Sequence, residues 1–157
     1  MKLRHLTVLL VALSTMMIAC GQINIYEKTV TVPEHAWSSS FKPGFDFDIT
    51  DSSSVYQVFL VIRHTEQYRY NNIYLNLRIK GPGNDSALVL RRELKLANNE
   101  RWLGEGMDDI YEHRTPIGLL GDTKALTPGT YHFTLEQIMR EDPLNHVLDV
   151  GLRVEKK

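Results

Sequence analysis

The residue type most committed to chemistry occurs once: Cys20 is the only cysteine in the chain. It follows Met17-Ile18-Ala19, at the end of an apolar run from Leu6 to Ile18 headed by Lys2 and Arg4. A cationic head, a short apolar middle and a small residue before a cut site are the parts of an export signal. The run is too short for a permanent membrane span, which needs ~20 apolar residues. A thiol directly after the cut is the acceptor in lipoprotein signals, so cleavage after Ala19 and acylation of Cys20 are expected. Two acyl chains hold a protein stably on a bilayer at ~0.8 kcal/mol per buried methylene, whereas one holds it only marginally. Residues 1–19 then read as signal peptide, 20–25 as a lipidated tether and 26–157 as one domain. With Cys20 consumed, no thiol remains for a disulfide, a zinc site or a nucleophile. No acidic run follows Cys20, so a periplasm-facing position on the cell membrane or outer membrane is expected.

Other groupings offer weaker chemistry. Glu105, Asp108, Asp109, Glu112 and His113 are the densest acidic and imidazole group. Paired carboxylates there could exchange protons in a hydrolase, and a histidine with two acids could hold a divalent metal. A charged loop near a sheet end accounts for the same residues, and pairing of Asp108 or Asp109 with Arg114 would make the group structural. Asp46, Asp48 and Asp51 could supply hard oxygens to calcium, or form a solvated face opposite Phe45, Phe47 and Ile49. His35 lies near Ser38, Ser39 and Ser40, but there is no Gly-x-Ser-x-Gly elbow, and such serines are usually turn formers. No phosphate loop, two-histidine zinc motif or dinucleotide fingerprint occurs. No catalytic residue, metal or cofactor is assigned.

The aromatic residues point toward binding. Trp37, Phe41, Tyr68, Tyr70 and Trp102 fall in or beside expected loops, where an exposed ring is a contact surface and a buried one plugs the end of a core. Arg63-His64-Thr65, leading into Tyr68-Arg69-Tyr70-Asn71-Asn72, is the preferred partner-facing edge. Coplanar exposure of Trp37 and Trp102 would instead make a platform for a glycan.

These side chains need a scaffold, and the sequence patterns one from strands. Phe45-Asp46-Phe47-Asp48-Ile49 alternates apolar and acidic residues, the period of a half-buried strand. Residues 56–64 are apolar on both faces in their middle, as in a central strand. Ile73, Leu75, Leu77 and Ile79 alternate with polar residues, as do Leu88, Leu90, Leu94 and Leu96 after Gly81-Pro82-Gly83-Asn84-Asp85. Two such runs around a glycine-proline turn predict a hairpin. Further strands are expected at 26–32, 107–111, 131–135 and 148–154, with 112–127 mostly loop. About eight short strands with few helical windows predict an all-β chain, an antiparallel β-sandwich with jelly-roll-like connections.

Composition agrees with a folded domain: 43% of residues are apolar and 24% charged, as in globular proteins. Losing Lys2 and Arg4 takes two from the 18 basic side chains, against 19 acidic ones. That mildly negative balance predicts no nucleic-acid footprint.

Several segments together resemble the gliding-motility lipoprotein family of the GldH type, found in Bacteroidetes. They are the Cys20 anchor, Tyr26-Glu27-Lys28 through Pro33-Glu34-His35-Ala36-Trp37, Ile62-Arg63-His64-Thr65 and Tyr68-x-Tyr70-x-Asn72. Asp109-Ile110-Tyr111, Gly129-Thr130-Tyr131-His132-Phe133 and Gln137-Ile138-Met139-Arg140 continue the match. Asp142-Pro143-Leu144 and Gly151-Leu152-Arg153-Val154-Glu155 complete it. The resemblance implies an envelope lipoprotein, held in the bilayer through acylated Cys20 and associated with other envelope proteins that move or secrete adhesins. It carries over no catalytic residue.

Overall fold

The computed structural model describes residues 25–99 and 101–157; Cys20 and the expected signal peptide lie outside the described residues. In chain order the strands are β1 (Ile25–Thr31), β2 (Ala36–Trp37), β3 (Gly44–Ile49), β4 (Tyr56–Thr65), β5 (Asn72–Lys80), β6 (Leu88–Lys95) and β7 (Ala97–Asn98). They continue with β8 (Arg101–Trp102), β9 (Glu105–Met107), β10 (Ile110–Leu120), β11 (Gly129–Gln137), β12 (Leu144–Asn145) and β13 (Val147–Lys156). The eight longest are the scaffold, and no α-helix occurs among the described residues.

The topology follows from the Gly81-Pro82-Gly83 turn. Antiparallel pairs form between β5 and β6, β4 and β10, β3 and β11, and β1 and β13. The chain is therefore one long antiparallel ribbon whose tip is the predicted hairpin. Folded over, the ribbon gives a sheet of order β1-β13-β4-β10-β9 and a second of order β3-β11-β5-β6. These are jelly-roll connections. The inner faces carry the alternating apolar residues: Leu60 and Ile62 on β4, Leu75 and Leu77 on β5, Phe133 and Leu135 on β11, Val150 and Leu152 on β13, all buried.

Two expectations are corrected. Residues 112–127 are not mostly loop, because β10 runs through Pro116 and Gly118 to Leu120. Pro116 sits at a bulge in the pairing with β4, and β9 covers only Ile110–Glu112. At Pro116 β10 is thus a free edge, where a missing N–H breaks no ladder bond. Residues 107–111 are not one strand either. Met107 ends β9, Asp108 takes a left-handed φ of 53°, and Ile110 opens β10.

The registers assign every loop to one of two ends. One end, the N-terminal end, carries Ile25, residues 50–55, the 81–87 hairpin tip, residues 121–128 and the C-terminus. The far end carries residues 32–37, 66–71, 96–109 and 138–146.

Gly151 shows how closely β1 lies on β13. A Cβ there would stand 2.4 Å from the Lys28 carbonyl oxygen and 2.5 Å from the Thr29 methyl. Gly151→Ala is expected to cost about 1–3 kcal/mol, as overpacking of a tight site does. A lowered urea midpoint checks this; an unchanged midpoint would contradict the observed approach of β1.

Candidate functional site

The far end gathers the sequence-nominated side chains but divides them between core and surface. Alternation along β4 sends His64 inward and Arg63 outward. His64 pairs in register with Tyr111 of β10 and Val147 of β13. Its Nε2 lies 2.9 Å from His113 Nε2, and its Nδ1 lies 2.8 Å from the Thr65 carbonyl oxygen. One consistent set of tautomers satisfies both contacts: His64 Nδ1–H donates to Thr65, and His113 Nε2–H donates to His64. Both imidazoles are buried. Burial pushes His113 down to about 4, helped by neighbouring His64, and it also lowers His64.

Aromatic rings enclose this pair. Trp102 meets His64 edge-on at 4.4 Å between centroids, with Tyr68 at 5.0 Å and Tyr111 at 5.9 Å. Gly104 lets the bend after β8 lie flush on β10: a Cβ there would stand 2.4 Å from the Glu112 carbonyl oxygen. Tyr68 is buried and donates its hydroxyl to the Asn72 carbonyl at 3.0 Å. Trp37 is fully buried, with its indole N–H on the Phe41 carbonyl at 2.9 Å.

Trp37, His64 and Tyr68 are therefore not contact surfaces. The chain passes from strand into loop at these points, but the jelly roll closes over them and uses their rings to plug the end of the core. The coplanar tryptophan platform for a glycan is likewise absent, since Trp37 is in the core and Trp102 packs on His64. Of the nominated residues, Arg63 and Tyr70 keep some exposure, as do Phe41 and Trp102.

The acidic group divides: Glu105, Asp108, Asp109 and Glu112 line an outer groove, and His113 leaves them for the core. Asp108 and Asp109 project from the β9–β10 turn, Glu112 faces outward, and His113 faces inward to His64. Arg114 pairs with Glu112 and, at 3.0 Å, with Glu27, not with Asp108 or Asp109. The calcium grouping is dispersed too. Asp46 contacts His132, Asp48 accepts from Thr130 at 2.6 Å, and Asp51 pairs with Lys156 at 2.7 Å. No cluster of three potential metal ligands occurs among the described residues. Ser39 donates to Asp142 through both its backbone N–H and its hydroxyl, while the Ser38 and Ser40 hydroxyls bond each other, so these groups hold a turn.

Open grooves flank the plugged end, and two of them bear on binding. One, of about 490 Å³, is walled by Tyr70, Asn72, Tyr74, Arg91, Met139 and Arg140. Its neighbouring acids are engaged: Glu141 accepts from Tyr70 at 2.7 Å and Asn145 at 2.9 Å, and Glu93 accepts from Asn72 at 2.7 Å. Arg91 and Arg140 have no carboxylate within ion-pair distance among the described residues. The second groove, of about 310 Å³, runs past Arg63, Glu105, Met107, Asp108, Asp109 and Glu112. Met107 and Leu103 are the exposed large apolar residues of this end. Sequence reasoning missed Tyr74, Arg91 and Arg140. Their signal was available, since all three occupy the outward positions of strands or the loop after β11.

Comparison with known proteins adds the family. The model of the GldH lipoprotein family matches residues 24–154, nearly the whole described chain. This chain belongs to the GldH lipoprotein family. A gliding motility lipoprotein GldH homolog of Christiangramia forsetii is 30% identical over 146 residues, covering 88% of this chain and 87% of that one. The gliding motility lipoprotein GldH of Flavobacterium johnsoniae is 27% identical, covering 100% of this chain and 99% of its own. Among solved structures, a non-crystalline-cellulose-specific carbohydrate-binding module, CBM28, superposes with a TM-score of 0.50 at 13% identity. It covers 83% of this chain and 73% of its own, a likeness of fold alone. In this GldH-family lipoprotein, Trp37, His64, Tyr68, Tyr111 and Leu144, all within segments carrying the family resemblance, meet at the far end. Among the described residues no helix is long and apolar enough to cross a membrane.

Proposed function

We propose that this chain is a non-enzymatic envelope lipoprotein of the gliding-motility type, which docks other envelope proteins through its far end. Residues 1–19 serve as signal peptide, Cys20 carries the lipid, and the sandwich faces the periplasm. The family membership and the names of its relatives support the motility-type lipoprotein reading. The observation that carries the docking role is the Tyr70–Tyr74 groove, where Arg91 and Arg140 have no ion-pair partner among the described residues. The same end carries a groove of opposite sign with exposed Met107. Tyrosine and arginine beside exposed apolar side chains are the composition of interface hot spots. Anchoring confines the domain to a thin layer, which raises its effective concentration for partners in that layer.

Cys20→Ala is expected to leave the fold intact and move the protein into soluble fractions. Retention in membranes would contradict the lipid anchor. Arg91→Glu with Arg140→Glu should keep the protein folded and membrane-bound while abolishing crosslinks from a photoreactive group at Met107 to envelope proteins. Unchanged crosslinks would contradict docking at this end.

A further inference from the structure

The far end has a counterpart whose partner can be read from geometry. Five peptide steps separate Cys20 from Ile25, a reach of at most about 17 Å. Ten-residue strands such as β13 make the sandwich about 30 Å long. An acyl group on Cys20 therefore holds the N-terminal end close to the bilayer.

That end is also where exposed apolar side chains concentrate. Of the six exposed large hydrophobic residues among the described residues, Ile25, Leu88, Val89 and Leu119 lie there. Ile25 and Leu119 share one register row across the first sheet, Ile25–Glu155–Gln57–Leu119. Leu88 and Val89 open β6 at the same end of the second sheet, opposite Ile79 and Arg78. The outer sheet faces carry larger charge networks than this rim, where Asp51 pairs with Lys156. The first is crossed by an ion-pair chain linking Asp149, Arg63, Glu112, Arg114, Glu27 and Arg153. The second carries Glu136 bound by Arg78 and Lys42. Laying either face on lipid would desolvate those charges, which is costly. Standing the sandwich on its N-terminal end buries Ile25, Leu88, Val89 and Leu119 and brings one ion pair, Asp51–Lys156, to headgroup level.

We propose that the N-terminal end is a lipid-contacting surface. Ile25, Leu88, Val89 and Leu119 enter the headgroup region, and the far end points away from the membrane. This rests on the lipid anchor assigned above. Acylated full-length protein carrying Leu88→Cys, Leu119→Cys or Met107→Cys, with Cys20 blocked by its lipid, is labelled with a fluorophore. It is then reconstituted in phosphatidylethanolamine–phosphatidylglycerol vesicles bearing nitroxide headgroups. Labels at Leu88 and Leu119 should be quenched at least ~3-fold more than the label at Met107, as expected for residues at interfacial depth. Equal quenching at the three positions in protein that floats with the vesicles would overturn the orientation alone. Protein that fails to float would overturn the anchor and the orientation together.

Discussion

Replacing Trp37 with alanine is expected to lower stability by about 3–5 kcal/mol, the cost of deleting a large core aromatic. Trp37 has no exposed surface, donates its indole N–H to Phe41, and accepts from Gln137 Nε2 on its carbonyl at 3.2 Å. It pairs with Leu144 in the small β2–β12 sheet. Loss of the ring would leave a void beneath that sheet and orphan the Phe41 carbonyl. Against a typical total of 5–15 kcal/mol, the variant should unfold at a much lower denaturant concentration. A binding-platform tryptophan would behave oppositely, with stability kept and only ligand affinity lost, so the denaturation midpoint decides between the two roles.

Acid should destabilise this protein earlier than its carboxylates alone would. His64 and His113 are neutral in the folded core, and burial depresses both, His113 to about 4. In the unfolded chain they titrate near ~6.5. Between those values the unfolded state binds protons that the folded state refuses, so stability falls as pH drops below about 6.5. At ~1.4 kcal/mol per pK unit, His113 alone accounts for about 3 kcal/mol by the time its folded pKa is reached. Glu27 and Glu136 shift the other way, held low first by hydrogen bonds from Arg114 and Arg78. Their contribution is complete above the ordinary carboxylate range and is lost only below it. Stability of His113→Gln, measured by urea unfolding from pH 7 to pH 4, should therefore be flatter in the upper part of that range. It should fall with the wild type only in the lower part. An unaltered profile would show that the imidazole pair is not what acid attacks.

Much of the fold was legible because its strands alternate cleanly and its tip is marked by Gly81-Pro82-Gly83. Once that hairpin is placed, antiparallel pairing of the two halves follows. The upper part of β10 was hidden by Pro116 and Gly118, which signal a loop unless one knows that this stretch is a sheet edge. The site was legible only in part. Sequence placed Arg63 at a strand end and Tyr70 and Trp102 in or beside loops but could not say which rings point inward. That depends on the loops that close the sandwich, such as the bend after Trp102 whose Gly104 lies against β10. His113 was grouped with its acidic neighbours by proximity in sequence. Strand alternation separates it from Glu112 and joins it to His64, which is 49 positions away.

Lipid anchoring is tested most directly by mass spectrometry of the mature protein extracted from membranes. The expected species is a chain that begins at Cys20 and carries a diacylglyceryl thioether. A chain with an unmodified thiol at Cys20, or one that retains residues 1–19, would contradict it.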